Sequence, residues 1–169
     1  MSAGPNGSGK SVLKSYLPPE LLGVYLNPDQ IEAGIRRDGW LDFRTLGVET
    51  TQEEVLQFFV ASDFLKAEGL EDDTRHIGFA GWRLNFAGVA VNAYFASVAV
   101  DFLRVKLMEK RSTFTFETVV SHPGKVELLR KARAAGYRTY LYHVATDDPS
   151  QSIPTARNPP GCPTFPTPP

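Results

Sequence analysis

Gly4-Pro5-Asn6-Gly7-Ser8-Gly9-Lys10-Ser11 is the stretch on which the reading of this 169-residue chain turns. It fits G-x-x-x-x-G-K-[ST] without a gap. Each residue type has a reason to be there. The glycines let the backbone curl until successive N–H groups point inward at a β-phosphate. A helix starting near Ser11 adds the positive end of its dipole. Lys10 supplies a point charge for β- and γ-phosphates, and the Ser11 hydroxyl is a candidate Mg²⁺ ligand. Such a loop normally follows a buried strand, yet only Met1-Ser2-Ala3 precede Gly4. The expectation is a clipped first strand.

Outward from the loop, short apolar runs alternate with helical patterns. Residues 22–26, Leu-Gly-Val-Tyr-Leu, read as a buried parallel strand. Asn27-Pro28 then predicts an N-cap and first turn of a helix through Ile31, Ala33 and Ile35 to about Arg37. Residues 51–67 carry apolar side chains at helical spacing after Thr50 and Thr51, and residues 70–83 read as a loop or short helical piece. Residues 84–110 predict one long helix ending in Lys106, Lys110 and Arg111. Its apolar part, Leu84 to Val100, is interrupted by Asn85, Asn92 and Ser97, which favours a buried helix over a membrane span. Residues 112–120 form a second strand candidate. His122-Pro123 opens a helix over 124–135 stopped by Gly136, and residues 137–146 form a third strand. Strand–helix alternation of this kind implies βαβ units, hence α/β: a three-layer fold with a parallel sheet flanked by helices and an incomplete C-terminal part.

Composition narrows the function classes. The chain is 42% apolar and 22% charged with a net charge of −1, so no bulk field favours nucleic acid or an anionic membrane. No basic stripe with interleaved aromatics points to nucleic acid either. Cys162 is the one cysteine, which excludes an internal disulfide framework and fits a reducing, cytoplasmic setting. No apolar run precedes the loop to act as a signal peptide. From Ser150 to Pro169 there are seven prolines in twenty residues, which excludes a central strand or long helix there. The chain therefore divides into a core over 1–149 and a proline-rich disordered tail over 150–169, which reads as foreign sequence following a frameshift or truncation.

Two carboxylates join the loop as candidate catalytic residues. Asp29 lies just past a strand's carboxyl end, where doubly wound sheets bind ligands, and it can orient or deprotonate an acceptor hydroxyl. The plainer role for Asp29 is a first-turn aspartate favoured by the helix dipole. Glu117, at the end of the Phe114–Phe116 strand, can act on Mg²⁺ or substrate; its plainer role is a solvated strand-end carboxylate. Asp147 and Asp148 read as cap or loop residues. His122 and His143 lack metal-ligand company. Trp40, Phe43 and Trp82 read as packing residues, and Lys125, Arg130, Lys131 and Arg133 as a solvated helix face.

The loop, Tyr25-Leu26-Asn27-Pro28-Asp29-Gln30-Ile31, Phe114-Thr115-Phe116-Glu117-Thr118 and the stretch from Tyr140 to Pro149 together resemble the zeta toxin family of P-loop kinases, over residues 1–149. The resemblance implies ATP and Mg²⁺ as cofactors and transfer of the γ-phosphate to a small-molecule hydroxyl, a UDP-sugar in the toxins proper. It implies that Gly4, Pro5, Asn6, Gly7, Ser8, Gly9, Lys10 and Ser11 hold nucleotide, that Ser11 meets Mg²⁺, and that Lys10, Asp29 and Glu117 are catalytic. Asp29 matches the family's base, and Glu117 the glutamate near sugar-nucleotide and Mg²⁺. Three departures stand against a full match. Ser121 replaces an arginine, Asn27 an acidic residue, and Ser150 to Pro169, with Arg157 beside Pro159-Pro160, replaces a helical lid bearing arginines. The partners expected are ATP and a hydroxyl acceptor, with no nucleic acid and no membrane; the sequence does not support an antitoxin partner. The competing expectation is a nucleotide-binding remnant, catalytically impaired without the lid arginines.

Overall fold

The computed structural model describes residues 1–3, 10–118 and 124–144. In chain order these form β1 (Ser2–Ala3), α1 (Lys10–Tyr16), α2 (Pro19–Leu22), β2 (Val24–Leu26), α3 (Pro28–Asp38), β3 (Trp40–Asp42), a 3₁₀ turn (Arg44–Leu46), α4 (Gln52–Val60), α5 (Asp63–Ala67), α6 (Glu71–Thr74), β4 (Gly78–Ala80), β5 (Arg83–Asn85), α7 (Ala93–Glu109), β6 (Phe114–Thr118), α8 (Gly124–Ala134) and β7 (Tyr142–His143). Gly4 to Gly9, Ser121, His122, Asp147, Asp148 and the whole 150–169 segment lie outside the described residues.

The four parallel strands run in the order β2-β6-β1-β7, with helices flanking the sheet, as the βαβ pattern implies. Register divides the sheet's side chains by face. Ser2 pairs with Glu117 and Tyr25 with Thr115, so these share one face. On it the Thr115 hydroxyl donates to the Leu22 carbonyl at 2.8 Å, and Lys14 of α1 stands 4.7 Å over the Tyr25 ring. The other face carries Leu26 and Phe116, both buried in the core with α3 and α7; Leu128 of α8 packs against that core. Burying a large apolar side chain stabilises by roughly 1.5–3 kcal/mol, so Leu26 and Phe116 tie this face to the core.

A second, antiparallel sheet, β3-β5-β4, was not expected from the sequence. Two of its strands fall within what reads as a loop over 70–83 and as the start of one long helix over 84–110. Leu84 is buried while Arg83 and Asn85 are exposed, a period of two that sets a strand. The Asn85 side chain then accepts from the Ala87 N–H, and Asn92 caps the true helix start by accepting from Tyr94 and Phe95. The β4–β5 turn uses positive φ at both Gly81 and Trp82, which suits the twist of a two-residue hairpin. Arg44 lies 5.1 Å from the Trp82 ring and covers it. The helix expected over 51–67 is two helices. Thr51 and Glu54 form a capping box for α4, and Ser62 accepts from the Leu65 N–H to start α5 afresh. Of the strand expected over 137–146, Tyr142–His143 pairs with β1, while Tyr137 to Leu141 have no ladder.

Gly23 sets how closely β2 can approach β6. Its φ is +56°, and a Cβ there would collide with the Thr113 carbonyl. Gly34 on α3 has open space around it. Gly23→Ala is therefore expected to cost about 2–4 kcal/mol. Gly34→Ala is expected to be neutral or to stabilise by up to about 1 kcal/mol. Urea unfolding of both variants checks the pair, and equal midpoints would refute the close-approach account.

Candidate functional site at the carboxyl edge of the parallel sheet

Neighbouring strands β1 and β6 send the chain toward opposite edges of the sheet, β1 to β2 and β6 to β7. Their carboxyl ends therefore flank a crevice of the kind in which open α/β sheets bind ligands. The segment 4–9 leaves β1 at this point, and the backbone of Lys10 and Ser11 opens α1. The Lys10 and Ser11 side chains and Gly4 to Gly9 lie outside what the structure describes.

Glu117 is the buried charge of this edge, 9% exposed. A carboxylate taken out of water needs hydrogen-bond donors. Here the Tyr25 hydroxyl donates to its Oε1, and Asn27 Nδ2 donates to its Oε2 at 2.9 Å. The plain reading of Glu117 as a solvated strand-end carboxylate is thus corrected: the site is buried because β6 lies inside the sheet, between β2 and β1.

Asn27 does two jobs with one amide. Its Oδ1 accepts from the Gln30 N–H at 3.1 Å, capping α3, while its Nδ2 holds Glu117. Asp29 follows at the second helical position of α3 and is exposed. The structure thus brings Asn27, Glu117 and Tyr25 into contact and leaves Asp29 on the rim of the same edge. From sequence, Asn27 reads as a helix cap and as a departure from the resembled family's acidic residue, and Tyr25 as a strand residue with no site role. The available signal was spacing: Tyr25 and Asn27 are two apart, so both side chains emerge on the Glu117 side of β2.

Ser2 Oγ is buried with no hydrogen-bond partner, on the strand residue paired with Glu117. A hydroxyl and a carboxylate offer oxygens to a hard cation, and the N–H groups of a helix start offer donors to an anion. No group of three His, Cys, Asp or Glu that could hold a metal occurs among the described residues. Mg²⁺ bound with a nucleotide needs only one or two protein carboxylates, because phosphates and water supply the rest. His143, expected to be structural, is exposed at the end of β7. Among the described residues no helix is long and apolar enough to cross a membrane.

No family model, no curated protein and no solved structure matches this chain.

Asn27→Asp tests the Asn27–Glu117 contact. It would set two carboxylates against each other, and one must then hold a proton. The shared folded pKa rises above the ordinary carboxylate value of about 4. The variant should match the parent below that pH and lose about 1–3 kcal/mol as pH rises through the raised value. Unfolding free energies from pH 4 to 8 check this. No deficit at any pH in the range would mean that Asn27 acts only as a helix cap.

Proposed function

We propose that this chain is the core of an ATP-binding P-loop kinase of the zeta toxin type, which transfers the γ-phosphate of ATP to a hydroxyl of a small molecule. One observation carries the reading. The strand that leads into Gly4–Ser11 lies inside a parallel sheet, at the crevice beside a buried, hydrogen-bonded Glu117. The motif and the crevice are independent of each other, yet they fall at the same edge.

In this reading the backbone N–H groups of Gly7 to Lys10 and the amino end of α1 bind the β-phosphate. Lys10 offsets charge on the β- and γ-phosphates, and Ser11 offers its hydroxyl to Mg²⁺. Mg²⁺, when bound, supplies charge neutralisation between the phosphates. Glu117 contributes a fixed negative charge at the crevice. Tyr25 and Asn27 hold its two oxygens in place, so little reorganisation is needed during transfer. Asp29, exposed on the first turn of α3, accepts the proton of the incoming hydroxyl. Phosphoryl transfer asks mainly for such positioning and charge. A UDP-sugar is one acceptor in keeping with the resemblance. Asn27 in place of an acidic residue and Ser121 in place of an arginine argue for a different one.

Mg²⁺-ATP is expected to raise the melting temperature of the parent chain, with about 2.7 kcal/mol gained at a hundredfold excess over Kd. Lys10→Ala should abolish that shift. Asp29→Asn should keep the shift and lose ATP consumption. An unchanged shift in Lys10→Ala would sink the nucleotide-binding reading. A shift without ATP consumption by the parent chain would leave a nucleotide-binding remnant in place of a kinase.

A further inference from the structure

The helix that Lys10 and Ser11 open, α1, is seven residues long. A helix this short does not hold its shape alone in water, so contacts with the rest of the fold decide where it lies. Its apolar residues Val12 and Tyr16 stand exposed. Lys14, one turn on from Lys10, reaches the sheet: its ammonium stands 4.7 Å over the ring of Tyr25 on β2. The hydroxyl of that same ring donates to Oε1 of the buried Glu117 on β6. One tyrosine thus meets α1 with its face and the carboxylate with its hydroxyl.

We propose that Lys14 and Tyr25 are positioning residues that join α1 to Glu117, so that the placement of the helix behind the loop motif is felt at the carboxylate. The consequence rests on the kinase reading: nucleotide at the loop and Mg²⁺ at the crevice then strengthen each other's binding in part through this contact.

Three observations support the connection. First, its two contacts reinforce each other. A cation over the face of a phenol ring draws electron density from it and makes the hydroxyl a stronger donor, and the acceptor here is a carboxylate. Secondly, Glu117 is held from both oxygens. Asn27 Nδ2 fixes Oε2 at 2.9 Å from the start of α3, so the hydrogen bond at Oε1 sets the remaining rotation of the carboxyl plane. Thirdly, Lys14 is exposed and its long stem can reach water in many rotamers, yet it lies against this ring. Groups that hold a carboxylate in this way matter to a cation it faces: removing one typically costs about 10–100-fold in metal affinity.

The test is calorimetric titration of the full chain with the β,γ-imido analogue of ATP, once with Mg²⁺ and once with EDTA. The quantity read is the ratio of the two Kd values. The parent chain should bind more tightly with Mg²⁺. Tyr25→Phe keeps the ring under Lys14 but removes the hydroxyl, and should cut the ratio about tenfold. Lys14→Met keeps the stem but removes the charge, and should cut it about threefold. Lys14→Arg keeps a cation over the ring and should retain the parent ratio. The double variant Lys14→Met, Tyr25→Phe should be no worse than Tyr25→Phe alone, because Lys14 acts through the hydroxyl. Equal ratios in the parent and all variants, with only the melting temperature lowered, overturn the inference and leave the kinase reading standing. A double variant in which the two losses multiply also overturns it, since Lys14 would then act directly. A parent chain that does not bind the analogue overturns the kinase reading, and this inference with it.

Discussion

The side-chain amide of Asn27 is the hinge on which the carboxyl edge depends. It ends β2, starts α3 and holds the buried Glu117 in a single residue. The amino half of the amide cannot be replaced by a carboxylate oxygen without loss. A carboxylate would still cap the helix, but it would set a second negative charge against Glu117. An acidic side chain at position 27 and an unprotonated glutamate at 117 are therefore mutually exclusive unless a cation joins them.

The two faces of the parallel sheet divide the work. Phe116 and Leu26 look toward α3 and α7 and bury apolar surface, whereas Tyr25, Thr115, Glu117 and Ser2 look the other way and form a polar layer. Because side chains alternate along each strand, neither set can change face without a slip in register. Arg104 shows what happens when charge enters the apolar side. It lies 4.9 Å from the Phe116 ring, pairs with Asp101 of its own helix, and burial lowers its pKa to about 10. It remains charged at neutral pH because the Asp101 carboxylate and the ring face offset part of the lost hydration.

Much of this was legible in the sequence, and the rest was hidden for identifiable reasons. The βαβ alternation, the Asn27 cap and the start of α1 all rest on local signals, and the structure agrees with them. The β3-β5-β4 sheet was missed because strands of three residues leave too short a pattern to compete with the helical periodicity that follows. Leu84 and Phe86 fit either a strand or a helix start, and only the Asn85 and Asn92 side chains decide between them. At the carboxyl edge, the sequence places Asp29 and Glu117 near strand ends but does not show their surroundings. The burial of Glu117 was not legible because it comes from β1 and β2, far away in sequence. Tyr25 was overlooked because a tyrosine in an apolar strand looks like packing until its hydroxyl has a partner.

β1 contributes only two residues, yet its partners lie near the far end of the chain, at Glu117 and Tyr142. Loop closure across such a span costs entropy before any contact repays it. β1 is thus a strand that pairs only after distant parts of the chain have met, and β7, which pairs with β1, joins the sheet through it. The segment from Gly4 to Gly9 is tethered directly to it. The stretch that carries the loop motif is consequently joined to a strand whose place in the sheet is set by contacts far along the chain.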